Sequence, residues 1–317
     1  MAVGSRPLVP SRLAPGGVLH RAPATKRTAT SVIAAYVALT KPRIIELLLV
    51  TTVPTMVLAE RGWPALGLVL VTLVGGTLSA GGANAINMYV DRDIDAVMQR
   101  TRGRPLVTGA VAPRSALVFA VVLEAVAFVV IAAGANLLAA VLALAAAVFY
   151  VLVYTLWLKR TSRHNIVIGG AAGAMPVLVG WAAVTGSLAW APLVLFAAMF
   201  FWTPPHFWAL AIRYSDDYRA ADVPMLPAVA PHAEAARQMI GYTVALVAAT
   251  LLLVPVADLG WIYATTAAVL GAGFLVATGL LARDPEPSAR AMSVFTYSIT
   301  YVTLLFAALM IDVLVLG

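Results

Sequence analysis

The chain has 317 residues, of which 62% are hydrophobic and only 11% charged. That is more apolar surface than a water-soluble core hides and an amount that a bilayer accommodates. It contains no cysteine, which excludes disulfides, thiolate nucleophiles, zinc–thiolate sites and iron–sulfur clusters. The formal charge of +7 points first to nucleic acid, but the basic residues are scattered over separate loops and read better as a membrane-topology signal.

Residues 1–39 open the chain with Arg6, Arg12, Arg21, Lys26 and Arg27 and no acid. Proline and glycine interrupt the first thirty residues and no apolar core runs through them, so a secretory signal is not expected. The composition predicts a disordered basic tail, with a transit peptide as the alternative. Residues 40–317 then form one helical domain. Apolar segments long enough to span a bilayer lie at about 44–60, 66–90, 115–135, 137–158, 165–185, 190–212, 240–258, 261–282 and 291–312. Their separators alternate in charge. The tail with Lys41 and Arg43, then 91–114, 159–164, 213–239 and 283–290, hold 20 of the 21 Lys and Arg, while the other set holds only Arg61. Positive loops stay in the cytoplasm, so the N-terminus is expected inside and the C-terminus outside. A bilayer demands that each span satisfy its own backbone, and no barrel-like alternation is present. The fold class is therefore an all-α polytopic membrane protein, a bundle of nine transmembrane helices with its active-site cavity facing the cytoplasm.

Two stretches carry the chemistry, both on the inner face. The first runs G-G-A-N-A-I-N-M-Y-V-D-R-D-I-D-A-V-M-Q-R-T-R-G-R-P, from Gly81 to Pro105. Asn87, Asp91 and Asp95 recur every four residues, a step that turns a helix by only about 40°, so the three share one face. Asp93 falls off that face and is not a ligand candidate. A calcium loop is excluded, because its sixth position would be Ala96 and its twelfth Arg102. A solvated cluster of acids and arginines is the bland alternative, but Asn87 lies inside the span, where polar groups are costly without a purpose. The second stretch follows the sixth span with Asp216 and Asp217. Carboxylates facing a diphosphate suit Mg²⁺, and Arg100, Arg104, Lys159 and Arg160 would neutralise the rest of such an anion. The expected ligand has a diphosphate head and a lipid-like tail.

The residues carry a resemblance at this point. T-K-P-R-I-I-E from Thr40, N-x-x-x-D-x-x-x-D from Asn87, M-x-R-T-x-x-R-P from Met98, L-K-R-T from Leu158, N-I-V-I-G-G-A-A-G-A from Asn165, G-W-A-A-V-T-G from Gly180, T-P-P-H-F-W-A-L-A from Thr203 and D-D-Y-R-A-A-x-V-P-M-L-P from Asp216 resemble the UbiA superfamily of intramembrane prenyltransferases. R-T-x-x-R-P and T-P-P-H-F-W point to its haem-farnesylating branch. The resemblance implies that farnesyl diphosphate alkylates a vinyl group of haem b, that water adds, and that haem O for haem-copper oxidases and pyrophosphate are released. It implies Mg²⁺ held by Asp91, Asp95, Asp216 and Asp217, catalytic roles for Asn87, Arg100, Arg104 and His206, and contacts from Lys41, Arg43, Lys159 and Arg160 to the diphosphate or the haem propionates. Haem b is thus a substrate and not a cofactor. The remaining implications are a multi-pass protein of the bacterial inner membrane, with the haem A synthase or oxidase-assembly proteins as downstream partners and no nucleic acid.

His206 is expected to touch the haem or to act as a base. Pro204 and Pro205 before it should kink the helix. Trp181, Trp202, Phe207 and Trp208 read more readily as membrane-border anchors than as pocket walls. Glu46 is expected near the cavity, and Glu124 in a pairing within the bundle. No role falls to His20, His164 or His232, and the first and last are expected in solvent. The chain departs from the resemblance at Asp222, where the family usually has glycine, and at Val177, where it often has a second proline. The competing readings are a prenyltransferase acting on an aromatic or quinone precursor and an ion-coupled secondary transporter.

Overall fold

The computed structural model describes residues 29–284 and 286–317, with the side chains of residues 29 and 43–49 excepted. Its regular structure is wholly helical. In chain order the helices are α1 (Ala29–Thr40), α2 (Pro42–Glu60), α3 (Leu66–Val90), α4 (Arg92–Val97), α5 (Pro113–Gly134), α6 (Leu137–Thr161), α7 (Asn165–Thr185), α8 (Trp190–Arg213), α9 (Ser215–Ala220), α10 (Leu226–Val229), α11 (His232–Val256), α12 (Trp261–Ala282) and α13 (Pro287–Leu316). Among the described residues eight helices, α3, α5 to α8 and α11 to α13, are long and apolar enough to cross a membrane. The first expected span coincides with α2, a helix of 19 residues.

Residues 29–39, expected as disordered tail, instead form most of α1. The reason is packing: Leu39 is fully buried, and Ala35 and Tyr36 lie against a small cluster built from Ala85, Met88, Ala116 and Ala120 of α3 and α5. The rest of the expected tail, residues 1–28, lies outside the described residues. A proline follows at once, at position 42, and the residue before a proline is pushed out of the right-handed helical region. Lys41 accordingly sits at φ 54°, ψ 61°, in the left-handed region that costs a side chain energy.

The bundle has its largest core where α7, α8, α11, α12 and α13 meet, around Trp208, Tyr263, Phe274, Tyr301 and Phe306. The α3–α5 pair is also closely packed, because small residues let the backbones approach in the absence of a hydrophobic drive between lipid-bathed helices. A Cβ built on Gly82 would stand 2.9 Å from the carbonyl oxygen of Ala120. Apolar stripes face outward: Leu137, Val141, Leu144, Val148, Leu152 and Leu156 of α6 are all exposed at the three- and four-residue spacing of one helix face.

The four expected anchors all turn inward, Trp181 and Phe207 packing against the main core. Trp202 and Trp208 are 3% and 0% exposed and belong to the core, not to a membrane border. Four other tryptophans are exposed: Trp63, Trp190 and Trp261 stand at or just before the starts of α3, α8 and α12, the helix ends assigned to the outer face, and Trp157 lies near the opposite end of α6. The helix ends that the charge pattern assigns to the inner face are tied together. Asp217 of α9 accepts from the backbone N–H of Gln99 and Arg100 at 3.4 and 3.2 Å, and Arg163 pairs with Glu234 at 3.0 Å. The loops assigned to one side by charge therefore do meet at one end of the bundle.

Candidate active site

α3 ends at Val90, but the backbone keeps helical bonding through the break. Asp91 N–H donates to Asn87 O at 2.9 Å, and Asp95 N–H donates to Asp91 O at 2.8 Å. Asn87, Asp91 and Asp95 consequently share the face that their spacing predicts, and they are 3%, 0% and 1% exposed. Burying two carboxylates is costly unless cations meet them, and the surrounding elements supply these. The Lys159 ammonium of α6 forms a short ion pair with Asp91 Oδ2. One guanidinium nitrogen of Arg104 reaches both oxygens of Asp95 at 2.7 Å. From its left-handed position, Lys41 places Nζ 2.7 Å from Asn87 Oδ1. Burial, helped by the nearby charges of Arg104 and Lys159, lowers the Lys41 ammonium to about 7.

The Asn87 amide orientation is unambiguous. Nδ2 donates to Asp91 Oδ2 at 2.8 Å and to Thr155 Oγ1 at 3.1 Å, and its oxygen faces Lys41, which can only donate. Asp91 Oδ1 is buried without a hydrogen-bond partner, and the Arg160 guanidinium stands 3.6 Å away. Arg160 spends its fork on Asp93 at 2.7 and 2.8 Å, the acid whose position turned it off the shared face. This charge-assisted pairing holds the Asp93 carboxyl below its ordinary range.

The second acidic stretch is placed differently. The Asp216 side chain is 94% exposed and pairs with Arg219 at 2.5 Å, while Asp217 accepts the backbone N–H groups already described. Among the described residues no three acidic or histidine side chains gather as a metal cage. The Arg100 guanidinium stands 5.6 Å from the centre of the Tyr214 ring. Near it the Tyr218 hydroxyl is shifted upward by burial, a shift that Arg100 opposes. Asp222 has φ 52°, in the left-handed region, which explains why a glycine suits this position. The side chains of Arg43 and Glu46, and His20 altogether, lie outside the described residues.

His206 of α8 is 6% exposed. It is stacked between Trp202 and Phe295, with ring centres 4.1 and 4.6 Å away. Its Nδ1 lies 2.7 Å from Ser298 Oγ. That hydroxyl donates its single proton to Phe295 O at 2.6 Å, so it must accept from Nδ1–H, which leaves Nε2 with the free lone pair. His206 lies seven residues, about 10 Å, inside Arg213 at the end of α8. The other expectations resolve simply. Glu124 Oε2 accepts from Ser79 at 3.0 Å, the pairing within the bundle. His232 is not free in solvent: its Nε2 bonds Leu281 O at 3.1 Å.

Sequence reasoning missed Thr155. It is one hydroxyl in an apolar run, and the available signal was its place four residues before Lys159, on the face that α6 turns toward Asp91.

The sequence pattern of the UbiA prenyltransferase family matches residues 48–299. The chain belongs to this family. Among curated relatives of this prenyltransferase, protoheme IX farnesyltransferase 1 of Saccharopolyspora erythraea is 55% identical, over 94% of this chain and 96% of its own. The protoheme IX farnesyltransferase of Clavibacter michiganensis is 56% identical over 88% and 92%. Of the solved structures, digeranylgeranylglyceryl phosphate synthase superposes with a TM-score of 0.74 at 17% identity, over 89% of this chain and 98% of that one. A UbiA homologue from Archaeoglobus fulgidus bound to geranyl diphosphate and Mg²⁺ gives 0.62 at 18%, over 87% and 99%. These likenesses establish the prenyltransferase fold.

Proposed function

We propose that this prenyltransferase moves a farnesyl group from farnesyl diphosphate to a vinyl group of haem b, giving haem O, in a bacterial inner membrane with the polar end of the bundle in the cytoplasm. The observation that carries the reading is the buried Asn87–Asp91–Asp95 face with Lys41, Arg104 and Lys159 drawn onto it. Such a set meets an anion and a metal together at the mouth of an apolar bundle. The acceptor is supported by the relatives named for protoheme IX, and the metal by the fold neighbour that carries Mg²⁺.

The residues fit a magnesium ion. Asp91 Oδ1 is a buried acceptor with no hydrogen-bond partner, and Mg²⁺ commonly takes only one or two carboxylates, completing its shell with water and phosphate oxygens. Asp91 and Asp95 would hold it, with Asp217 brought near by the loop that it already binds and Asp216 released from Arg219. When bound, the ion would stabilise charge on the departing pyrophosphate.

The chain's own residues do the rest. Lys41, Lys159 and Arg104 bind the diphosphate, and Arg100 and Arg160 extend the cationic rim toward it or toward the haem propionates. As the bond from farnesyl C1 to oxygen breaks, these cations accept the negative charge, and the dry apolar interior keeps water from the allylic cation. The terminal vinyl carbon bonds C1. Water then adds at the carbon next to the porphyrin, and its proton passes to the free Nε2 of His206. Purified protein given haem b, farnesyl diphosphate and Mg²⁺ should yield a product heavier than haem b by one farnesyl group and one hydroxyl group. Transfer to a phenolic acid with haem b left unchanged would move the chain to the aromatic-acceptor branch, and ion-coupled transport without transfer would end the enzyme reading.

A further inference from the structure

Asn87 can help bind a diphosphate only if its amide keeps one orientation. Two of its three partners, Lys41 and Asp91, are themselves expected to re-form contacts when ligand arrives. The third has no such duty. Thr155 is fully buried, and its hydroxyl is committed twice: it donates to Tyr150 O at 2.9 Å and so can only accept from Asn87 Nδ2, at 3.1 Å.

The backbone makes this possible. From Tyr150 to Leu158 helix α6 is π-helical, with i→i+5 spacing, a rare widening found mostly at functional sites. The carbonyl that receives the Thr155 proton is the one five residues back. The stretch also delivers Lys159 to Asp91, on the same neighbouring helix that Thr155 reaches through Asn87. Take away the hydroxyl, and one Asn87 N–H is buried without an acceptor, and the amide loses the one contact that is not expected to re-form when ligand arrives. A turned amide would point N–H at Lys41, donor against donor.

We propose that Thr155 is a positioning residue for the diphosphate site, holding the Asn87 amide so that its oxygen faces Lys41 and its N–H group faces Asp91. The inference rests on the diphosphate reading above but not on the identity of the acceptor. Its test therefore measures binding of farnesyl thiodiphosphate, a non-ionising analogue, to the purified full chain by calorimetry with and without Mg²⁺. Thr155→Ser keeps the hydroxyl and should bind within about threefold of wild type. Thr155→Val keeps the shape without the hydroxyl and should bind about tenfold or more weakly, a loss of about 1.4 kcal/mol, while the unpaired amide lowers the melting temperature by only a few degrees. Thr155→Ala, which has no β-branch to crowd the π-helical turn, should repeat that loss and serves if the valine variant does not fold. The loss should also disappear in an Asn87→Ala background, because two residues acting through one contact are not additive. Wild-type affinity in both hydroxyl-free variants, an equal loss in Thr155→Ser, or full additivity with Asn87→Ala would overturn the proposal. Absence of analogue binding by the wild-type protein would instead count against the diphosphate reading itself.

Discussion

At the scale of single residues, burial decides which charge pairs matter. Asp95 is 1% exposed and its partner Arg104 21%, whereas the Asp93 side chain is 63% exposed. Removing one member of a buried pair leaves the other desolvated and alone, which costs about 3–5 kcal/mol, and an exposed pair contributes about 0.2–1 kcal/mol. Asp95→Ala should therefore lower the thermal midpoint in detergent by many degrees, and Asp93→Asn only slightly. The sign with pH follows from the depressed Asp93 carboxyl. Its folded value lies below its unfolded one, so its contribution is present above the ordinary carboxylate range and fades only as pH falls through the folded value. Wild type and Asp93→Asn should thus converge in stability in strong acid and differ slightly at neutral pH. A gap that widens on acidification would contradict the pairing. His206 allows a cleaner functional test. His206→Phe keeps a flat ring between Trp202 and Phe295 but has no Nε2, so kcat should fall about 10²-fold or more with little change in KM for farnesyl diphosphate. Equal loss in both constants would assign His206 to binding instead.

At the scale of elements, backbone geometry explains what residue types alone leave open. Asp222 occupies a left-handed position between α9 and α10. Asp222→Gly should raise stability by up to about 1 kcal/mol by relieving the Cβ clash, an amount reduced by the extra freedom that glycine gives the unfolded chain. A lower melting temperature would show that the aspartate side chain does more there than tolerate the turn. The helices themselves were legible in the sequence, because a twenty-residue apolar run has few other solutions in a bilayer. So was the Asn87–Asp91–Asp95 face, because the i→i−4 bonding persists across the break at Asp91. The π-helical stretch was not legible: Y-V-L-V-Y-T-L-W-L reads as any buried helix, and its widening depends on what packs against it. The aim of Lys41 was hidden for a related reason. Pro42 signals a break in the chain, but only the packed position of α1 against α3 decides where the lysine then points. Trp202 and Trp208 misled because tryptophan serves membrane borders and cores alike, and hydropathy does not separate the two.

At the scale of the whole molecule, the two ends of the bundle hold their buried acids for different purposes. At the inner end Asp91 and Asp95 face lysine and arginine, the partners that a diphosphate can compete for. At the outer end Asp312 of α13 is 2% exposed and faces backbone alone: Oδ2 accepts from Gly260 N–H at 2.5 Å and Oδ1 from Tyr263 N–H at 2.9 Å. It thereby satisfies the start of α12, where free N–H groups and the helix dipole favour an anion. No substrate group is needed to complete that contact, so its role is to fasten α13 to α12. Hydrogen bonds to a charged group contribute about 1.5–3 kcal/mol each, and Asp312→Ala should destabilise the protein by about that much or more, seen as a lower melting temperature in detergent. Activity per folded molecule, measured well below that temperature, should remain at the wild-type level, since the inner face is untouched. Asp312→Asn, which keeps the acceptor on one side only, should fall between the two. If Asp312→Ala instead melts with wild type but loses turnover, the outer acid is coupled to the chemistry and the separation of the two ends is wrong.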